Sequence, residues 1–497
     1  MEKTSIMLVP EISLTPQTVD RFLSRFGEEK IAVLHSKLSV GERYDQWKKI
    51  ERGDAKIVIG ARSAIFAPVK NLGLIIIDEE HDDSYKSETN PRYNAKEIAT
   101  YLAKEISLPV VLGSATPDIN TYNKALNHDI QLLELTKRAN NSSLPEVKIV
   151  DLRNELANGN KTMISDSLYG AIQDNLKNKK QTILFLNRRG FSTFIMCRDC
   201  GYTAKCKNCN ITLTYHIKGN KLKCHYCGYE TDALKICPNC KSKNIRYFGT
   251  GTQKLEEQIK EMFPEASTIR MDVDTVTKKN SHEDILNKFR NDNIDILIGT
   301  QMVVKGHHFP NVTLVGVIAA DSSLHIDDYR ANERTFQILT QVAGRAGRGK
   351  DKGQVIIQTY NPDAFCIQYA KQQDYKIFYN TEIQLRKQLR YPPFCDIILI
   401  GISSKSYKEL EIISNKIYEN LKEKIEKQNL KIMLYKPVPA PVDKIKNKYR
   451  WRIIIKCKID NSIINQLQDT INSINQQNKN TKNSTRIIVD VNPTNMI

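Results

Sequence analysis

From Leu72 the chain runs Leu-Gly-Leu-Ile-Ile-Ile and then breaks into Asp78-Glu79-Glu80-His81. A short, unbroken, isoleucine-rich run predicts a strand buried on both faces of a parallel sheet. The acids then fall at its C-terminal tip, where doubly wound sheets bind ligands. Pro109-Val-Val-Leu112 repeats the pattern and leads into Gly113-Ser-Ala-Thr-Pro117. Thr182–Asn187, Ile294–Ile298 and Thr313–Ile318 predict strands of a second sheet, and Thr335–Val342 has helical spacing. Beyond about Lys387, strand-like Phe394–Ile402, Trp451–Lys458 and Arg486–Val491 alternate with helical Tyr407–Gln428 and Asn461–Asn475. The class is α/β, with regions expected at 1–140, 141–386 and 387–497, the last a small α+β domain.

The chain has 497 residues, enough for about three domains, and a net charge of +18. That balance points to a polyanion, nucleic acid first, although a generally lysine-rich composition gives the same sum. Within Lys444–Arg452, Tyr449 and Trp451 interleave with basic residues. Such a stripe reads either as a base-stacking surface or as a basic strand whose aromatics alternate into the core. No apolar run approaches the ~20 residues of a membrane helix, so no membrane partner is expected. Met1–Pro10 lacks the long apolar segment of a secretory signal, which makes a cytoplasmic chain the expectation.

Eight of the eleven cysteines form four Cys-x-x-Cys pairs: Cys197/Cys200, Cys206/Cys209, Cys224/Cys227 and Cys237/Cys240. In a reducing compartment this spacing favours metal over disulfides. Eight thiolates fill two closed tetrahedral zinc sites and leave no open catalytic position; iron–sulfur ligation is the lesser alternative. Glycines follow Cys200 and Cys227, where a positive φ lets backbone N–H groups approach sulfur. Four pairs can be matched in three ways. The gap between the second and third pairs leaves room for a hairpin that joins them. Spacing therefore favours nesting: Cys206, Cys209, Cys224 and Cys227 in one site, Cys197, Cys200, Cys237 and Cys240 in the other. Cys366, Cys395 and Cys457 are isolated and read as core residues.

Asp78 is placed to hold Mg²⁺ and Glu79 to orient or deprotonate an attacking water, the division of labour in nucleoside triphosphatases. Taken alone, the segment reads equally as a solvated acidic turn. The later Ser-Ala-Thr segment and Gln341-Val-Ala-Gly-Arg-Ala-Gly-Arg348 change that balance. Arg345 and Arg348, three residues apart, share one face, and their planar guanidinium groups suit phosphate oxygens. In this order the motifs resemble those of superfamily 2 helicases of the DExH type. Leu8-Val-Pro-Glu-Ile-Ser-Leu-Thr15, Gly60-Ala-Arg-Ser-Ala-Ile-Phe-Ala-Pro68, Asn187-Arg-Arg-Gly190, the cysteine window, Tyr391-Pro-Pro-Phe394, Pro439-Ala-Pro-Val442 and Asp490-Val-Asn-Pro493 are similar to the PriA family of replication-restart helicases.

The resemblance implies two RecA-like helicase lobes, a double-zinc insertion at 191–248 in the second, and a C-terminal α+β domain. It implies ATP-driven 3′–5′ movement on single-stranded DNA, recognition of stalled or abandoned replication forks, and primosome assembly. The cofactors are then two Zn²⁺ per chain and ATP with Mg²⁺. The partners are branched forks, other primosome proteins and single-stranded DNA-binding protein. Asp78, Glu79, Gln341, Arg345 and Arg348 become the catalytic set, with His81 and Gly306 added at the nucleotide. Arg62, Ser63, Thr300 and Gln301 become DNA contacts, although Arg62 and Ser63 also read as an ordinary loop. The same resemblance implies the nested zinc pairing.

In that family a strand, a GxxGxGKT phosphate loop and a helix precede the Leu-Val-Pro-Glu segment, whereas seven residues precede Leu8 here. A truncated chain is therefore expected, its first sheet missing an internal strand and exposing strand edges and apolar surface. Gly344-Arg-Ala-Gly-Arg-Gly-Lys-Asp351 imitates a phosphate loop, but a helix precedes it and Asp351 replaces the needed hydroxyl. Gly249-Thr-Gly-Thr-Gln-Lys254 lacks the Gly-Lys-Ser/Thr ending. The alternative function is thus a non-hydrolysing, zinc-stabilised fragment that binds DNA or primosome proteins.

Overall fold

The computed structural model describes residues 3–496 apart from 11–15, 37, 137–143, 187–193, 217–218, 249–250, 273–280, 293, 301–302, 304–308, 348–350 and 480–484. Among the described residues, the first sheet is built from β1 (Thr4–Leu8), β2 (Ile31–Leu34), β3 (Ile57–Gly60), β4 (Leu72–Ile77) and β5 (Val110–Leu112), all parallel in the order β2-β3-β1-β4-β5. Ile6, Leu8, Val58, Ile75 and Ile77 form its core. β5 lies at the edge and pairs with β4 alone among the described residues, and Val111 is 47% exposed; in the segment beyond, Leu133 and Leu135 are 76% and 99% exposed.

The strands of the cysteine-rich window come next in the chain after β6 (Glu146–Asp151) and β7 (Gln181–Phe185). They are β8 (Phe194–Cys197), β9 (Thr214–His216), β10 (Lys221–Lys223), β11 (Glu230–Asp232) and β12 (Ile245–Phe248). Antiparallel pairing of β8 with β12 makes a stalk, and β9, β10 and β11 make a small sheet above it. β13 (Thr268–Met271), β14 (Ile296–Gly299), β15 (Val312–Val317) and β16 (Gln354–Thr359) join β6 and β7 in a parallel sheet ordered β13-β14-β7-β15-β16-β6. Every residue of β7, β14 and β15 is buried, which explains why these runs are apolar apart from Gln181, Thr182 and Thr313.

The C-terminal sheet is antiparallel: β17 (Asp396–Ser404), β18 (Met433–Leu434), β19 (Val438–Ile445), β20 (Lys448–Cys457) and β21 (Arg486–Val491). The helices Tyr407–Lys427 and Asn461–Lys479 cover it, with Ile400, Ile402, Leu410, Ile417, Ile453 and Leu467 in a shared core. Tyr449 and Trp451 each meet Tyr407 edge-on, at 5.5 and 5.9 Å, and Arg452 is buried, so this segment takes the packed form of its two readings. β19 escaped the sequence reading because Pro439 and Pro441 interrupt it; it lies at an edge with shifted register, where proline is tolerated. No helix among the described residues is long and apolar enough to cross a membrane.

The helix Ile119–Leu126 follows the first sheet in sequence but packs into the core of the second. Tyr122 meets Tyr375 and Tyr379 edge-on at 5.0 and 4.8 Å. Behind this contact lies Arg386. Its Nη2 donates to Glu333 Oε2 at 2.6 Å, Nε to Glu382 Oε1 at 3.0 Å and Nη1 to Pro392 O at 3.2 Å. Its side chain is 2% exposed, so removal strands two buried carboxylates. We expect Arg386→Ala to cost about 3–5 kcal/mol and to lower the thermal midpoint clearly by calorimetry. An unchanged midpoint would refute this role.

Candidate functional site

The acids predicted at the tip of β4 lie there. Asp78 N–H donates to Leu8 O at 2.9 Å, which continues the ladder between β1 and β4. Asp78 Oδ1 accepts the Glu79 N–H at 3.0 Å, and Glu79 has φ 45°. A non-glycine residue in this left-handed region costs about 1–2 kcal/mol. Buried Tyr85 pins the turn from below, its hydroxyl reaching Leu8 O at 3.1 Å and Asp78 O at 2.6 Å. The Asp78 side chain is exposed and its carboxylate suits a divalent cation, while half-buried Glu79 stands beside it.

His81 connects three segments that are far apart in sequence. Gln341 Nε2 donates to His81 Nε2 at 2.8 Å, which leaves the imidazole proton on Nδ1, 2.7 Å from Ser114 Oγ. Ser114 Oγ also accepts the Thr116 N–H at 3.0 Å. A continuous chain of hydrogen bonds thus runs from the Gly-Ser-Ala-Thr-Pro segment through the DExH turn to the helix Ala331–Ala343 of the second sheet. Glu79 Oε2 lies 3.6 Å from His81 Nδ1. Arg345 follows this helix, with its N–H bonded to Val342 O at 3.0 Å. Arg348 and Gly306 lie outside the described residues, as does Gln301.

Glu80 was absent from the predicted set. It is 1% exposed and accepts from Lys96 Nζ at 2.9 Å, Asp118 N at 2.7 Å and Thr121 Oγ1 at 3.0 Å. Glu333 Oε1 accepts the neighbouring Ile119 N–H at 2.8 Å. Burial raises the pKa of Glu333 despite Arg386, whereas Glu80 and Asp118 raise that of Lys96 against its own desolvation. Glu80 and Lys96 are sixteen residues apart, a separation no local periodicity marks.

Thr300 directly follows β14, and its carbonyl accepts the Val303 N–H at 3.0 Å. Ser63 is exposed. Arg62 is engaged within the chain: Nη1 donates to Ser84 O at 2.9 Å and Lys86 O at 2.5 Å, and its guanidinium sits 5.8 Å from the Tyr93 ring centroid. The segment it braces is tied to the C-terminal domain. Lys86 Nζ donates to Val491 O at 2.7 Å, and Arg92 Nη1 to Asp490 Oδ2 at 2.6 Å. Arg334 links the same segment to the second lobe through Asp83 at 2.9 Å and Asp328 at 3.0 Å.

The eight cysteines gather as Cys197, Cys200, Cys237 and Cys240, and as Cys206, Cys209, Cys224 and Cys227; within each group the sulfurs lie within 4.8 Å of one another. Cys197–Cys240 and Cys200–Cys237 are 3.6 Å apart, and Cys206–Cys227 is 3.5 Å. Zn–S bonds of ~2.3 Å in a tetrahedron place sulfurs about 3.8 Å apart. The fit to zinc is therefore close, and thiolates this near repel one another without a cation. Each pair forms the same turn. The N–H groups of Gly201, Asn210, Gly228 and Lys241 donate to the carbonyls of Cys197, Cys206, Cys224 and Cys237 at 2.8–3.0 Å, and all four residues have positive φ. Glycine announced two of these turns in the sequence; Asn210 and Lys241 adopt the conformation without that signal. β9 and β10 form the hairpin that closes the second group.

That second group is also the docking face of the zinc module. Tyr391 Oη donates to Cys209 O at 3.1 Å, Arg452 Nε to His225 O at 2.7 Å, and His225 Nδ1 lies 3.0 Å from Pro439 O. A Cβ at Gly228 would stand 2.9 Å from Val438 Cγ1.

Four family models match the chain: DEAD/DEAH box helicase over residues 1–125, the PriA DNA helicase Cys-rich region domain over 206–231, the helicase conserved C-terminal domain over 232–350, and the primosomal protein N C-terminal domain over 387–494. The replication restart protein PriA of Bacillus subtilis (strain 168) is 48% identical over 491 residues, covering 99% of this chain and 60% of that protein. The chain thus spans less than two thirds of that relative's length. Its counterpart in Rickettsia felis is 41% identical over 457 residues, covering 91% of this chain and 69% of that protein. A solved structure of RecG bound to a three-way DNA junction aligns with TM-score 0.44 at 14% identity, covering 77% of this chain and 40% of that one. With helicase models on both lobes, the cysteine-rich model between them and relatives this similar over nearly the whole chain, the chain belongs to the PriA replication-restart family.

Proposed function

We propose that this chain forms the motor, zinc and C-terminal regions of an ATP-dependent 3′–5′ DNA helicase that recognises stalled or abandoned replication forks and restarts replication by primosome assembly. The observation that carries the reading is the Ser114–His81–Gln341 chain of hydrogen bonds. It joins the three segments that a helicase must couple, from two lobes, at one point. Family membership supplies the replication context, and the comparisons support a helicase over the non-hydrolysing alternative.

In this reading Asp78 holds the nucleotide's Mg²⁺ and Glu79 orients or deprotonates the attacking water. The strained backbone at Glu79 fixes its carboxylate before substrate arrives. Arg345 and Arg348 neutralise charge developing on the γ-phosphate, and Gln341, bonded to His81, reports nucleotide state between lobes. Arg62, Ser63, Thr300 and Gln301 face the DNA strand, Arg62 acting chiefly by bracing the segment that carries Lys86. The partners are single-stranded and branched DNA, primosome proteins and single-stranded DNA-binding protein. Two Zn²⁺ ions close the nested cysteine sites. The proposed units are 1–140 and 141–386 for the lobes, 191–248 for the zinc module and 387–497 for the last domain.

Two measurements test these assignments. In the intact protein, Glu79→Gln should lower DNA-stimulated ATP hydrolysis at least a hundredfold while nucleotide binding stays within a few-fold; full turnover by this variant would falsify the role of Glu79. Metal analysis of protein purified without chelator should find two zinc ions per chain. Cys224→Ser should lose one of them and lower the melting temperature more than Cys240→Ser does, since the former's site is hydrogen-bonded to Tyr391 and Arg452 of the C-terminal domain. One zinc or none in the unaltered protein sinks the two-site reading.

A further inference from the structure

Where the zinc module meets the C-terminal domain, two imidazoles outside both cysteine groups face each other nitrogen to nitrogen. His216 ends β9, and His225 follows Cys224 in the third cysteine pair. Their Nε2 atoms are 3.0 Å apart. The ring centroids are 5.0 Å apart and the rings are tilted by 56°, so the nitrogens are the near points of two converging rings. His225 is buried and His216 half-buried, which gives the pair one dry side and one side open to water.

The hydrogen bonds fix which nitrogens are free to bind. His225 Nδ1 lies 3.0 Å from Pro439 O in β19. A carbonyl only accepts, so Nδ1 carries the proton and Nε2 is a bare lone pair. An imidazole whose far N–H is held by a backbone carbonyl is the arrangement that orients metal-ligating histidines. Metal–nitrogen bonds of ~2.0–2.1 Å at angles of roughly 90–109° place two ligand nitrogens about 2.9–3.4 Å apart. The observed 3.0 Å falls in that interval.

The surrounding charge also admits a cation. Lys223, Glu230 and Asp443 act on His216, and Arg452 and Lys223 act on His225. Lys223 is neutralised by Glu230, 2.7 Å away, and Arg452 is opposed by Asp327. The charge left over is Asp443, an exposed residue of β19 that makes no ion pair among the described residues.

We propose that His216 and His225 form a third metal site, for a divalent late first-row transition ion, distinct from the two cysteine sites. The two Nε2 atoms are its protein ligands, water fills the other positions, and Asp443 offsets the charge. Imidazole suits nickel, copper and zinc, whereas magnesium and calcium prefer oxygen. Binding needs a lone pair on both nitrogens. The proton of His216 therefore moves from Nε2 to Nδ1 through solvent, and no proton is lost from the pair. With two protein ligands and no thiolate, the site exchanges its ion more readily than the cysteine sites do. Occupied, it ties β9 to the residue that docks on β19, adding a link between the zinc module and the C-terminal domain.

Equilibrium dialysis of the zinc-loaded, untagged full chain against micromolar nickel, with both metals counted, tests this. Nickel is chosen because copper would oxidise the thiols. The parent should take up nickel, keep all its zinc and show no thiolate-to-nickel absorption band. His216→Ala should bind one nickel fewer, or bind it at least tenfold more weakly, with unchanged zinc content and melting midpoint in the absence of nickel. His128→Ala, which removes an exposed histidine elsewhere, should match the parent. The site is overturned if the parent binds no nickel, if His216→Ala binds as the parent does, or if His128→Ala loses as much. Nickel uptake accompanied by zinc loss overturns it too, since the ion would then sit on the thiolates. So does displacement of nickel by millimolar magnesium, which would mark an oxygen site holding an adventitious ion only. Should His216→Ala lose zinc or melt early, Asp443→Lys decides, because it leaves both ligands in place: nickel at least threefold weaker supports the site, and unchanged affinity overturns it.

Discussion

Two buried carboxylates from different lobes converge on the N-terminus of one short helix, and the relation between the lobes depends on them. Glu80 takes the Asp118 N–H and Glu333 the Ile119 N–H, at the start of the helix Ile119–Leu126. Helix N-termini leave N–H groups unsatisfied and favour negative charge, so both acids satisfy the backbone while it stabilises them. Each is then balanced by a cation of its own lobe, Lys96 for Glu80 and Arg386 for Glu333. Neither acid can withdraw without leaving a charge unpaired in a nearly dry site.

The zinc module binds the second lobe to the last domain by a different physics. Its small strands could not hold a fold alone, as their hydrophobic cluster is shared with Tyr391, Cys395, Ile397 and Ile454 outside it. Sulfur geometry supplies local rigidity, and the repeated turn with positive φ turns each carbonyl-bearing corner outward in a fixed way. Tyr391 and Arg452 then read those corners through backbone oxygens, so the docking depends on shape set by the knuckles and not on particular side chains. The other cysteine group meets the second lobe near Gly201, where a Cβ would stand 2.3 Å from Tyr360 O.

Much of this was legible in the sequence, for definable reasons. Gln181–Phe185 and Val312–Val317 are buried on both faces, and Leu72–Ile77 alternates buried with half-buried positions, so burial writes a mainly apolar run in each. The cysteine pairs are legible because metal geometry imposes spacing. β1, with only five residues, and proline-broken β19 gave no such period and were missed. Glu80 was in plain view beside Asp78 and Glu79, but its role arises from partners at Lys96, Asp118 and Thr121, brought together only by the fold. Arg62, read by resemblance as a DNA contact and equally as part of an ordinary loop, also donates to two internal carbonyls, which neither reading named.

The balance of these contacts favours separation of the lobes at one place. The helix Ile119–Leu126 shares a core with Phe336, Leu339 and Phe378 of the second lobe, and its Asn123 accepts from Tyr379 Oη at 2.8 Å. By packing it belongs to that lobe, although by sequence it follows the first sheet. Apolar burial is lost in proportion to area when lobes part, whereas individual polar contacts at the cleft exchange for water at a net cost of about 0.5–1.5 kcal/mol each. The helix therefore stays with the second lobe, and displacement falls on the Gly113–Pro117 segment and on the bonds of Glu80 and Gln341. The residues that join the two lobes are thus also those whose bonds would change if the lobes parted.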